Sequence, residues 1–141
     1  MRKATSKIGV LKITSSPDKK GKDQELQINK SKKRINATLQ VFYIQDGAFK
    51  VAFIPALNLS GYGKSHKKAC EMLEEVMSDY FHSLIVLKKD QLLSELSKYG
   101  WTTKLFRKQF INNTFVDKYG VLKNFKLPKN TPIKESMVEV A

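Results

Sequence analysis

The stretch Ile54-Pro55-Ala56-Leu57-Asn58-Leu59-Ser60-Gly61-Tyr62-Gly63-Lys64-Ser65 is where a two-residue apolar period gives way to a helical one. Just upstream, Phe49, Val51 and Phe53 alternate along Ala48-Phe49-Lys50-Val51-Ala52-Phe53-Ile54, as one face of a strand does. Pro55 has no N–H to give to a ladder, so it ends or bends that strand. Residues 56–59 continue in extended form, as a third strand or its start. Ser60-Gly61-Tyr62-Gly63-Lys64-Ser65 then reads as a tight loop, with Ser65 placed as the N-cap of a helix. From His66 onward, Ala69, Met72, Leu73, Val76, Tyr80 and Leu84 form one stripe, with Met77, Phe81 and Leu87 beside it. Glu71, Glu74, Glu75 and Asp79 fall on the outer face, so the spacing predicts a helix to about Leu87.

Working outward, residues 37–45 carry β-branched and aromatic side chains, and Leu39, Val41 and Tyr43 share one face. Asp46-Gly47 follows, a hairpin signal because its second residue readily takes a positive φ. Toward the C-terminus, residues 89–98 predict a second, shorter helix with Leu92, Leu93 and Leu96 inward. Gly100 is a natural stop, and Trp101 is expected to pack back. Beyond it, Phe106, Phe110, Ile111, Phe115 and Tyr119 are apolar anchors among polar residues. Residues 101–105 read as a strand, residues 120–127 alternate up to Pro128, and residues 137–140 suit a last edge strand. The expected fold is α+β: a short antiparallel sheet of three or four strands against one main helix.

The chain has 141 residues, enough for one compact domain plus tails. Its net charge of +13 is unevenly placed: +8 over residues 1–36, −1 over 37–87 and +6 over 88–141. Residues 24–28 alternate briefly, enough for a short strand. Most of residues 1–36, however, is rich in Lys, Ser, Thr, Gly and Asp, and reads as a mobile basic arm. The arm is densest at Lys30-Ser31-Lys32-Lys33-Arg34. Residues 37–101 form the expected domain, and residues 102–141 a basic, partly ordered extension. Basic flanks attract polyanions or an acidic protein. No run approaches the roughly 18 apolar residues of a spanning helix, and the short apolar run at Ile8 is too small for a signal peptide. A cytoplasmic protein is expected. A small sheet with an open edge also makes a homodimer an expectation.

The residues offer little chemistry. Gly63-Lys64-Ser65 has part of a P-loop, but Asn58 stands where the first glycine is required, so a capped tight turn is the better reading. His66 and His82 are sixteen residues apart and make no helical ligand pair. The single cysteine, Cys70, excludes an internal disulfide and reads as a small packed side chain. Asp46 is explained by its turn and Asp79 by a solvated helix face. No cofactor, metal or catalytic group is expected, and the chain reads as non-enzymatic. Phe49 and Phe53 beside a basic segment raise base stacking, but their alternation suits a core face better.

The hairpin at Asp46-Gly47, then Ile54-Pro55-Ala56-Leu57, then Ser60-Gly61-Tyr62-Gly63-Lys64-Ser65 leading into a helix with Ala69 in its first turn, resembles the HicB-like family. These are antitoxin partners of HicA-type mRNA-cleaving toxins. The resemblance spans residues 37–87 and extends toward Trp101, and Asp46, Gly47, Pro55, Gly61, Gly63 and Ser65 carry its structural motif. Lys68-Ala69 stands where the family has Glu-Ala. The resemblance implies a bacterial protein with a partial RNase H-like domain of three strands and a helix. It implies a module that binds and neutralises a protein toxin without catalysis. The alternative is a nucleic-acid-binding accessory protein, binding DNA or RNA without reading sequence. Its phosphate contacts would come from Lys30, Lys32, Lys33 and Arg34, and from Lys104, Arg107 and Lys108.

Overall fold

The computed structural model describes residues 13–15, 24–103, 109–112 and 117–140. Its strands are β1 (Ile13–Ser15), β2 (Gln24–Asn29), β3 (Arg34–Asp46), β4 (Phe49–Ile54), β5 (Leu59–Gly63), β6 (Thr102–Thr103), β7 (Gln109–Asn112) and β8 (Ile133–Val140). Its helices are α1 (His66–Ile85), α2 (Lys89–Ser97) and α3 (Lys118–Asn124). The class is α+β, as expected, but among the described residues the sheet has eight strands, all antiparallel, rather than three or four.

The sheet is organised by β3, which is 13 residues long. Along one side it pairs with β8, from Ala37↔Val140 to Ile44↔Ile133. Its other side is divided. β2 pairs with the first part, from Asn29↔Arg34 to Glu25↔Thr38, and β4 pairs with the last part, from Phe42↔Phe53 to Asp46↔Phe49. One branch continues through β2 to β7 and β6, the other through β4 to β5. Gln40 sits where the branches part, between the two pairing segments. Its backbone N–H donates to the Gln24 side-chain oxygen at 2.9 Å, and its own amide donates to Glu135 at 2.7 Å. Gln24 and Gln40 are both 1% exposed. A buried N–H without a ladder partner is costly, and a side chain supplies the acceptor here.

The strand period sends β3 and β4 side chains to two covered faces. On the first, Leu39, Val41, Ala52 and Ile54 meet Ala69, Leu73, Met77 and Phe81 of α1. Of the predicted stripe, Ala69, Leu73 and Leu84 are buried and Met72, Val76 and Tyr80 half-buried, while Met77 and Phe81, expected beside it, are fully buried, so the stripe is centred on 69, 73, 77, 81 and 84. α2 adds Leu92 and Leu96, and Trp101 folds back as expected, its indole N–H donating to the Ala56 carbonyl at 2.7 Å. On the second face, Phe42, Ile44 and Phe53 meet Val121 and Leu122 of α3.

Three local expectations need correcting. Residues 24–36 are not an arm: Leu26, Ile28 and Ile35 are buried, because β2 sits between β3 and β7 and shares the core under α1. The alternating segment 120–127 is no strand. Its first part belongs to α3, capped by the Asp117 carboxylate accepting from the Gly120 N–H. The C-terminal strand is not an edge, since β8 lies between β1 and β3.

Candidate interaction surfaces

The turn Asp46-Gly47 joins β3 to β4, with Gly47 at φ 63° in the left-handed region and its carbonyl accepting from the Gln45 side chain. Pro55 follows the last residue of β4, and Asn58 N–H closes onto its carbonyl at 3.2 Å. Residues 55–58 form a turn rather than a strand, and β5 starts at Leu59. Gly61 and Gly63 lie in β5 itself, facing α1. A Cβ on Gly61 would fall on the Leu73 backbone nitrogen and 2.6 Å from the Ala69 carbonyl oxygen. One on Gly63 would lie 2.5 Å from the Lys68 Cβ. The two glycines therefore let a helix backbone rest directly on a strand. Ser65 caps α1, its hydroxyl accepting from Lys68 N–H at 3.1 Å. Gly61, Gly63 and Ser65 thus act together where β5 meets α1, while Gly47 and Pro55 mark the two ends of β4.

Beside the start of α1 is an open cleft of about 300 Å³, lined by Tyr43, Lys50, His66 and Lys134 among others. Tyr43 and His66 rings lie 4.7 Å apart, and His66 Nε2 is 3.5 Å from Cys70 Sγ. This pairing has the outline of a cysteine–histidine dyad, but its electrostatics oppose one. Burial, with the Glu74 carboxylate nearby, pushes the Cys70 thiol up, away from the reactive thiolate. Burial, then the neighbouring Cys70, pushes the Tyr43 hydroxyl up to about 12. Neither group is poised to ionise near neutral pH. Among the described residues no three His, Cys, Asp or Glu side chains are grouped to hold a metal ion.

Two other surfaces are distinctive. Phe53 is buried and packs edge-on to Phe125 at 4.9 Å, so it is core. Phe49 is different: it is 43% exposed and lies edge-on to Tyr62, itself 57% exposed, at 6.2 Å. The pair stands on the α3 side of the β4–β5 ribbon, where Tyr62 is paired with Val51. Phe49 carries an alternation signal in the sequence, whereas Tyr62 carries none, since it lies between the two glycines with its side chain pointing away from α1.

The remaining surface is the β2–β3 turn. Lys30, Lys32, Lys33 and Arg34 are all exposed there. The Asn29 carboxamide oxygen accepts from Ser31 Oγ at 2.9 Å and from Lys32 N–H at 3.0 Å. Lys33 takes a left-handed φ of 52°, and its N–H closes the turn onto the Lys30 carbonyl. The Lys30 ammonium donates to the Leu87 carbonyl, tying the turn to the corner between α1 and α2. Lys104, Arg107 and Lys108, the other predicted phosphate contacts, lie outside the described residues.

No helix among the described residues is long and apolar enough to cross a membrane. Comparison with protein-family models, with curated proteins and with solved structures finds no match.

Proposed function

We propose that this chain is a non-catalytic binding module of HicB type, whose partner is an mRNA-cleaving protein toxin. What supports the reading is the unit formed by β3, β4, β5 and α1. It follows the order of three strands and a helix that the resemblance implies, and the glycines of its motif seat α1 on β5. The contact falls on the exposed Phe49–Tyr62 pair, because exposed aromatics make efficient interface anchors. This unit is also the near-neutral part of a +13 chain, so a basic toxin meets least repulsion there.

The test is co-expression of the full chain with HicA-type proteins encoded in the same genome, followed by growth and by size-exclusion chromatography. Restored growth and a co-eluting complex, both lost on Phe49→Ala/Tyr62→Ala, are expected. Growth arrest that persists while both proteins accumulate overturns the proposal.

A further inference from the structure

The open cleft beside the start of α1 is built from three strands and a helix. Its floor is the α1 side of β3, where Tyr43 and Gln45 point the same way. Lys134 of β8 is paired with Tyr43 along one side of β3, and Lys50 of β4 with Gln45 along the other. Cross-strand partners share a face, so the two lysines flank β3 from opposite sides on one surface. His66, the first residue of α1, closes a third side with its ring against that of Tyr43.

Hydrogen bonds prearrange part of this lining. The Gln45 amide donates to the Gly47 and Phe49 carbonyls at 2.8 Å and 3.3 Å, which fixes its oxygen on the side of Lys50. That oxygen accepts from the Lys50 ammonium at 2.8 Å, and an ammonium has two further protons to give. The Gln45 N–H donates to the Pro132 carbonyl at 3.0 Å, so β8 is held against β3 along the cleft.

The charge here has one sign. Among the described residues no carboxylate lines the cleft, and neither lysine has one within ion-pairing distance. The nearest acids along the chain, Asp46 and Glu135, pair with Phe49 and Phe42 and so stand on the opposite face. Glu74 acts on Cys70, one turn further along α1, and is not part of the lining. The Tyr43 hydroxyl, raised by burial and then by Cys70, stays neutral. Two positive charges therefore border a hollow of about 300 Å³ that contains no compensating negative charge.

The size and charge narrow the ligand. Lysine acts as a point charge and binds phosphate well without the planar fork of arginine. A phosphate monoester carries close to two negative charges at neutral pH, one for each ammonium. The volume is at the lower end of small-molecule pockets, which suits a phosphate with at most a small group attached. We propose that this cleft binds a phosphate dianion, free or as the head of a small phosphomonoester, between Lys50 and Lys134. The cleft lies on the opposite face of the β3–β4 hairpin from Phe49, and its ligand is independent of the toxin partner.

The test titrates the isotope-labelled full chain with phenyl phosphate, inorganic phosphate and methyl phenyl phosphate at constant ionic strength, following backbone amide shifts. Phenyl phosphate should bind with a Kd of about 1 mM or below. The shifts should centre on residues 43–50, 66–70 and 132–134. Methyl phenyl phosphate keeps the ring but has a single charge, and should bind at least ~10-fold more weakly. Tighter binding of phenyl phosphate than of inorganic phosphate assigns an organic phosphomonoester, and the reverse or equality assigns free phosphate. Lys50→Gln and Lys134→Gln should each weaken binding ~10-fold, the loss of one charge-assisted hydrogen bond. Lys118→Gln/Lys123→Gln on α3 removes as much or more charge and should leave affinity within about 2-fold. The spectra of the unliganded variants report that each is folded. No shift at the cleft, shifts of equal size at residues 30–34, equal binding of the methyl ester, or full binding by either cleft variant overturns the proposal.

Discussion

The two faces of β3 are covered in contrasting ways. On one, a 20-residue helix lies over β4 and β5, and Leu73, Met77, Phe81 and Leu84 are at most 1% exposed. On the other, a seven-residue helix places only Val121 and Leu122 against Phe42, Ile44 and Phe53. The strands supply similar apolar side chains to both sides. The difference lies in the helices, and it teaches that a sheet face is only as stable as the length of apolar stripe that can be laid across it. A helix of two turns gains little by itself and depends on its contacts. α3 is held by its Asp117 cap, its two buried side chains and the Phe53–Phe125 contact. The face under α3 also ends early, leaving Phe49 and Tyr62 uncovered.

Three measurements would break or sharpen this contrast. The largest effect is expected from cavities. Phe81→Ala, beneath α1, should cost about 4 kcal/mol in urea denaturation, whereas Leu122→Ala, beneath α3, should cost about 2 kcal/mol. Native-state hydrogen exchange should then show α3 amides opening well below the global unfolding free energy and α1 amides at it. Equal costs and equal protection would mean that the faces form one cooperative layer.

The next effect comes from the glycines. Gly61→Ala should destabilise by about 3 kcal/mol, because its Cβ meets helix backbone that cannot rotate away. Gly47→Ala meets nothing within 4 Å and should cost about 1 kcal/mol, for its positive φ alone. If the two substitutions cost the same, direct seating of α1 on β5 is not what those glycines provide.

The smallest effect is a pH dependence. The Tyr43 hydroxyl is pushed from 10.0 up to about 12 in the folded protein, by burial and then by Cys70. Between those values the folded state keeps a proton that the unfolded chain has lost. Stability from this group is therefore fully present below pH 10 and is lost as pH rises toward 12. Tyr80 is pushed in the same direction, by burial and then by its hydrogen bond to Glu95. Tyr43→Phe should flatten part of the alkaline slope, measured as Tm against pH. An unchanged slope would mean that Tyr43 ionises no later than a free tyrosine.

The elements that could be read directly were those whose own residues settle their geometry. The period of residues 66–85, the Ser65 cap, the Asp46-Gly47 turn and the stop at Gly100 are local matters of 3.6-residue spacing, hydrogen bonding and backbone angle. The same locality explains the misses. Residues 24–36 looked too polar to fold alone, yet Leu26, Ile28 and Ile35 are buried because strand and helix partners lie on both sides. Residues 120–127 had an even apolar spacing that suited a strand, and the Asp117 cap with the contacts of Val121 and Leu122 made a helix instead.

The surfaces divide along the same line. The hairpin, the main helix, the basic run at Lys30–Arg34 and the near-neutral centre are properties of neighbouring residues and follow from local order along the chain. Tertiary structure alone decided that β3 serves two branches, and that Gln24 supplies the acceptor where they part. It alone paired Phe49 with Tyr62 and tied the α1–α2 corner to the basic turn. The physical reason is that strand pairing and surface charge join residues by distance in space, and strand partners such as Ile13 and Val140 lie at opposite ends of the chain.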